Sequence, residues 1–109
     1  MIKPGVDLRG LVPQMAIAYI IACVVYNKHQ CVEQCVITSG VDSVHGPNSL
    51  HPLGKALDLR TNTLSGDVAL MIHHDLKQAL GGQFDVVLEK DHIHVEFDPK
   101  EVTDVGVTI

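Results

Sequence analysis

The run His92-Ile93-His94-Val95-Glu96-Phe97 alternates polar and apolar side chains with a period of two. A half-buried strand produces that pattern, because successive side chains on a strand point to opposite faces. His92 and His94 therefore share one face, and Ile93, Val95 and Phe97 share the other. One strand offers two imidazoles to a common site while its other side faces a core.

A second stretch supplies the missing chemistry. In Ser49-Leu50-His51-Pro52-Leu53-Gly54-Lys55-Ala56-Leu57-Asp58, a histidine and a carboxylate stand seven residues apart, with Gly54 letting the backbone turn from loop into strand. Two imidazoles and one carboxylate form the donor set of a catalytic zinc site, in which three protein ligands leave a fourth position to a water whose pKa falls to about 7. The expected ligands are His51, Asp58 and His94, holding one Zn2+ per chain. Glu89, ahead of the final ligand, is the expected general base for that water.

The ordered pair of motifs, Ser-x-His-x-x-Gly-x-Ala-x-Asp and then Glu-x-x-His-x-His, resembles the zinc D-Ala-D-Ala peptidase family and the hedgehog signalling domain that shares its fold. The resemblance covers about residues 33–99, and two ordered motifs are far more specific than one. It implies zinc on His51, Asp58 and His94, with Glu89 as catalytic base. It also implies cleavage of peptidoglycan stem peptides, by a carboxypeptidase or an endolysin-like endopeptidase. One departure stands out: where the family carries Ser-Gly-Tyr-Arg, this chain has Ser39-Gly40-Val41-Asp42. His45, where the hedgehog domain also has a histidine, and His92 are then the candidates to donate hydrogen bonds to a developing oxyanion.

The remaining polar residues have plainer readings beside the chemical ones. Ser49 either orients His51 or a substrate group, or caps its loop. Arg60 is the one arginine near the site and either holds a substrate carboxylate with its forked cation or forms a solvated ion pair. Asp91 and Glu96 read as solvated surface. His73 and His74 are neighbours on a helix and cannot chelate one ion together, so neither is a ligand.

With 109 residues the chain makes one domain, 1–109, around one core. That core is expected to be aliphatic, since there is no Trp and only two Tyr and two Phe. A net charge of −5 argues against nucleic acid and against an anionic membrane surface. Met15 to Tyr26 is too short to span a membrane, which takes about 20 residues, and its flanks are not those of a signal peptide. The expectation is therefore synthesis in the cytoplasm; a phage origin, with delivery to the wall by lysis or in a virion, would explain access to the wall, and a cellular origin stays open beside it. Cys23, Cys31 and Cys35 read as reduced thiols; Cys31 and Cys35 resemble half of a zinc site with no second pair to complete it.

In chain order, residues 1–10 form an extended arm. Pro13 opens a helix, apolar almost all round, that ends near Asn27 to His29. Glu33 to Ser39 is a strand, Gly40 to Leu50 a loop walling the site, and Lys55 to Arg60 a strand. Ser65 caps a helix that stops at Gly81-Gly82 with an apolar stripe of Val68, Ile72, Leu76 and Leu80. A hairpin of Phe84 to Leu88 and His92 to Phe97 turns at Glu89-Lys90-Asp91, and a loosely held tail follows Pro99. The expected fold class is α+β: a small, mainly antiparallel sheet backed by two helices. Two functions remain open, a zinc peptidase and a zinc-containing protein-recognition module of the same fold. Glu89 favours the first and the absent family arginine keeps the second.

Overall fold

Pro13, whose fixed φ and missing N–H suit a first helical turn, opens α1 (Pro13–Lys28). Its inner face carries Met15, Ala18, Ala22 and Tyr26, all almost fully buried, and the Tyr26 hydroxyl donates to the Arg60 carbonyl at 2.9 Å. The helix is not buried all round: Ile17, Ile20 and Val24 are exposed. A two-layer domain has a single layer for α1 to pack on, so the opposite face of even a wholly apolar helix is left in water. No helix among the described residues, 1–41 and 50–99 of this computed structural model, is long and apolar enough to cross a membrane. His45, Ser49 and the tail after Pro99 lie outside the described residues.

The first strand is shorter than its β-propensity suggests. A 3₁₀ turn covers Val32–Gln34, and β1 is only Ile37–Ser39. The Cys31 amide bonds back to the Tyr26 carbonyl, so the chain must turn sharply off α1 before it can extend. The remaining elements follow the sequence pattern: β2 (Ala56–Arg60), α2 (Gly66–Leu80), β3 (Phe84–Leu88) and β4 (His92–Phe97). Ser65 caps α2 by accepting from the Val68 amide at 3.2 Å, and Gly81 ends it with φ 81°. The four strands form one antiparallel sheet in the order β1-β2-β4-β3, an α+β fold.

Leu57, Leu59, Ile93 and Val95 project from the central strands onto Ile72 and Leu76 of α2 and the inner face of α1. The three cysteines are free thiols; Cys31 Sγ donates to the Tyr26 carbonyl, and Cys23 and Cys35 meet at 3.8 Å. Burial pushes the Cys35 thiol far above its ordinary pKa, so it behaves as a small core side chain.

The N-terminal arm is more than a lead-in. Ile2 bridges to Ile37 in parallel, the Lys3 amide donates to the Ile37 carbonyl and the Ile37 amide to the Met1 carbonyl, each at 2.9 Å. The arm thus extends the sheet beyond β1. Farther on it crosses Gly40, where a Cβ would stand 2.6 Å from the Asp7 carbonyl oxygen, and then Gly54, where a Cβ would strike the Gly10 carbonyl.

Candidate metal centre

Register decides what shares the sheet's open face. β2 and β4 pair with Asp58 opposite His94 and Arg60 opposite His92. Residues directly opposite in an antiparallel pair project to the same side, so these four groups gather on the face away from Leu57, Leu59 and Ile93. His51 arrives from the turn before β2, where the Gly54 amide returns to the His51 carbonyl at 3.0 Å and Lys55 to Leu50 at 3.1 Å. Gly54 sits at φ 74°, a left-handed conformation that costs a side-chain-bearing residue energy.

His51, Asp58 and His94 converge as expected, with one donor atom from each lying within 4.8 Å of the others. His51 Nε2 stands 3.3 Å and His94 Nδ1 3.0 Å from Asp58 Oδ1, and the two rings are 5.1 Å apart between centroids. Ligands about 2.1 Å from a tetrahedral ion are about 3.4 Å from one another, so the spacing fits a single small cation. His51 and Asp58 are 0% and 2% exposed, which places the centre inside the protein rather than on it.

Both imidazoles are held from behind. His51 Nδ1–H donates to the Gly40 carbonyl at 3.1 Å, which fixes the tautomer that turns the Nε2 lone pair inward. His94 Nε2 meets Glu96 Oε1 at 2.7 Å, leaving Nδ1 to face Asp58. Glu96 is therefore not solvated surface. It stands on the same strand face as His94, and its carboxylate orients that ring as outer partners of metal-bound histidines do.

The same contacts set the charges. The Asp58 hydrogen bond, opposed by burial and helped by Glu96, raises His94 to a pKa of about 9. Burial pushes Asp58 upward, but the imidazoles of His51 and His94 beside it outweigh that and hold the carboxylate well below its ordinary range. Without a metal, the site is an imidazolium between two carboxylates. A cation that displaces the Nδ1 proton would take over its position and its charge.

A polar cavity of about 300 Å³ opens beside Asp58, with His92 and Arg60 in its wall. His92 Nε2 lies 3.8 Å from Asp58 Oδ2, and its Nδ1 donates to Asp91 Oδ1 at 2.7 Å. Asp91 is exposed, as expected, but it orients His92 and is not merely solvated. Glu89 lies at the hairpin corner, where its amide donates to the His92 carbonyl at 2.8 Å. Its side chain lines a neighbouring cavity that meets the first at Asn62 and Asp91. His73 Nε2 reaches the Val86 carbonyl at 2.9 Å and has no part in the centre, nor do the cysteines among the described residues.

Sequence reasoning missed three groups: Glu96, the Gly40 carbonyl and Lys3, which also lines the cavity. Only Glu96 had a local signal, its two-residue offset from His94 on a strand. Compared with models of known protein families, with curated proteins and with solved structures, the chain matches none.

Proposed function

We propose that this chain is a zinc-dependent hydrolase that cleaves peptide bonds of peptidoglycan stem peptides. The observation that carries the reading is a buried set of three donors with a polar cavity open beside it. A purely structural zinc site closes its fourth position with another protein ligand, whereas a hydrolytic one leaves it to water and substrate. Zinc bound there supplies a Lewis acid and a water of lowered pKa. His51, Asp58 and His94 are its ligands, and Gly40 and Glu96 fix the two rings.

Glu89 serves as the base that removes the proton of the attacking water. His92, at the cavity wall, donates to the oxygen on which charge develops. Arg60 receives a substrate carboxylate. His45 and Ser49 keep the roles that the sequence reading gives them, His45 as a second oxyanion donor in place of the absent family arginine and Ser49 as a group that orients His51 or the substrate. Stem peptides as substrate rest on the two ordered motifs.

The test is metal analysis of the purified protein together with incubation on peptidoglycan and on D-Ala-D-Ala peptides. One zinc per chain and release of peptide or D-alanine, abolished by a chelator and restored by zinc, is the expected result. Full zinc occupancy with no cleavage of either substrate would replace the hydrolase with the protein-recognition module.

A further inference from the structure

The proposed chemistry leaves the three thiols unused, and two of them stand together. Cys23 Sγ, on α1, lies 3.8 Å from Cys35 Sγ, just before β1. Cys35 is fully buried and Cys23 is partly exposed, so only one of the pair can be reached from solvent. Cys31 turns its sulfur elsewhere, to the Tyr26 carbonyl at 3.3 Å. The chain between the pair bends tightly: Gln30 takes a left-handed φ of 62°, which costs a side-chain-bearing residue energy, and the Val32–Gln34 turn follows. The Cys35 carbonyl accepts from the Met1 amino group at 3.1 Å and from the Tyr19 hydroxyl at 3.2 Å. Helix, arm and first strand therefore meet at Cys35. The two sulfurs have only to swing together to reach the bonded length of about 2.05 Å.

We propose that Cys23 and Cys35 are a redox modification site, at which a low-molecular-weight disulfide such as oxidised glutathione installs a bond joining α1 to the entry of β1. The exchange begins at Cys23. Its sulfur gives up a proton and attacks one sulfur of the small disulfide, forming a mixed disulfide and releasing one small thiol. Cys35 then gives up its proton and attacks Cys23 Sγ, and the second small thiol leaves. Two protein thiols are oxidised while one small disulfide is reduced to two thiols. Burial holds the Cys35 thiol protonated, so it is no entry point of its own, and its fixed place against Cys23 supplies the reactivity that its acidity does not. The bond closes a short loop around the bent connection and so restricts the unfolded chain. Both sulfurs lie with the core cluster, across the sheet from the metal centre, and the assignment does not rest on the hydrolase reading.

The test is to incubate the reduced full chain with equal amounts of oxidised and reduced glutathione, then to count thiols in denaturant and map the peptides by mass. One free thiol in place of three is expected, in a protein lighter by two hydrogens, with Cys23 linked to Cys35 and Cys31 free. The melting midpoint should rise by about 10 °C, the scale for a short cross-linked loop in a domain of this size, and should return on reduction. Cys31→Ser should form the same bond. Cys23→Ser should keep both of its remaining thiols, and a cooperative melt of that variant shows that the loss is not one of folding. Three thiols retained, glutathione left on Cys23 without closure, or a bond that includes Cys31 would overturn the proposal. So would a linked form that melts no higher than the reduced one.

Discussion

In the proposed zinc centre, Glu96 and Glu89 would divide between them the two duties a carboxylate can perform beside a metal. Glu96 touches a ligand, at 2.7 Å from His94 Nε2, so Glu96→Gln should weaken zinc binding by about 10- to 100-fold, measured by competition with a chelator. Glu89 makes no hydrogen bond or ion pair with the three donors among the described residues. Glu89→Gln should keep the zinc and lower turnover by about two to four orders of magnitude, the scale of general-base catalysis. Full turnover in that variant would remove Glu89 from the mechanism. His51→Ala and Asp58→Ala should reduce zinc to trace levels by elemental analysis. His73→Ala and His74→Ala should leave it intact, and stoichiometric zinc in both ligand variants would show the centre to be misassigned.

At the scale of elements, the centre depends on how the arm is laid across the sheet. Gly40 must pass under Asp7 and Leu8, and its carbonyl is also the partner of His51 Nδ1. Gly40→Ala sets a methyl 2.6 Å from the Asp7 oxygen, so either the arm or the β1 end must shift. We expect a loss of about 1–3 kcal/mol in chemical denaturation, with weakened zinc binding because the His51 tautomer loses its partner. Gly66, in the first turn of α2, meets open space. Gly66→Ala should be neutral or stabilising by up to about 1 kcal/mol and should leave zinc affinity unaltered. Equal stability of the two alanine variants would mean that the arm is not held against β1.

For the whole molecule, a proton and the proposed zinc would compete for one place. Folding raises His94 from 6.5 to about 9, chiefly through Asp58, so the metal-free protein holds this stabilisation fully below pH 6.5 and loses it as the pH climbs through 9. Zinc needs the neutral ring, so its apparent affinity should rise by up to about tenfold per pH unit until His94 has titrated. Paired thermal melts across this range should show the metal-free midpoint falling and the zinc-dependent increment growing. An increment that shrinks with rising pH would mean that zinc does not replace the His94 proton.

What a chain can reveal unaided is whatever its local periodicity dictates. The alternation through His94 set strand β4 and its two faces, Ser65 and Gly81 set the ends of α2, and Pro13 set the start of α1, because each signal acts within a few residues. The convergence of His51, Asp58 and His94 was legible for the same reason: a strand has only two faces and the donor chemistry is selective. Tertiary structure alone decided the rest. That Asp58 lies opposite His94 is a matter of register between strands 36 residues apart, and a slip of one residue would turn every side chain to the other face. Whether Glu96 is solvated, whether α1 is covered on both sides, and whether the arm brings Lys3 beside Arg60 all depend on which distant segments come to lie together. Those choices come from packing one shared core, and no short stretch of sequence contains them.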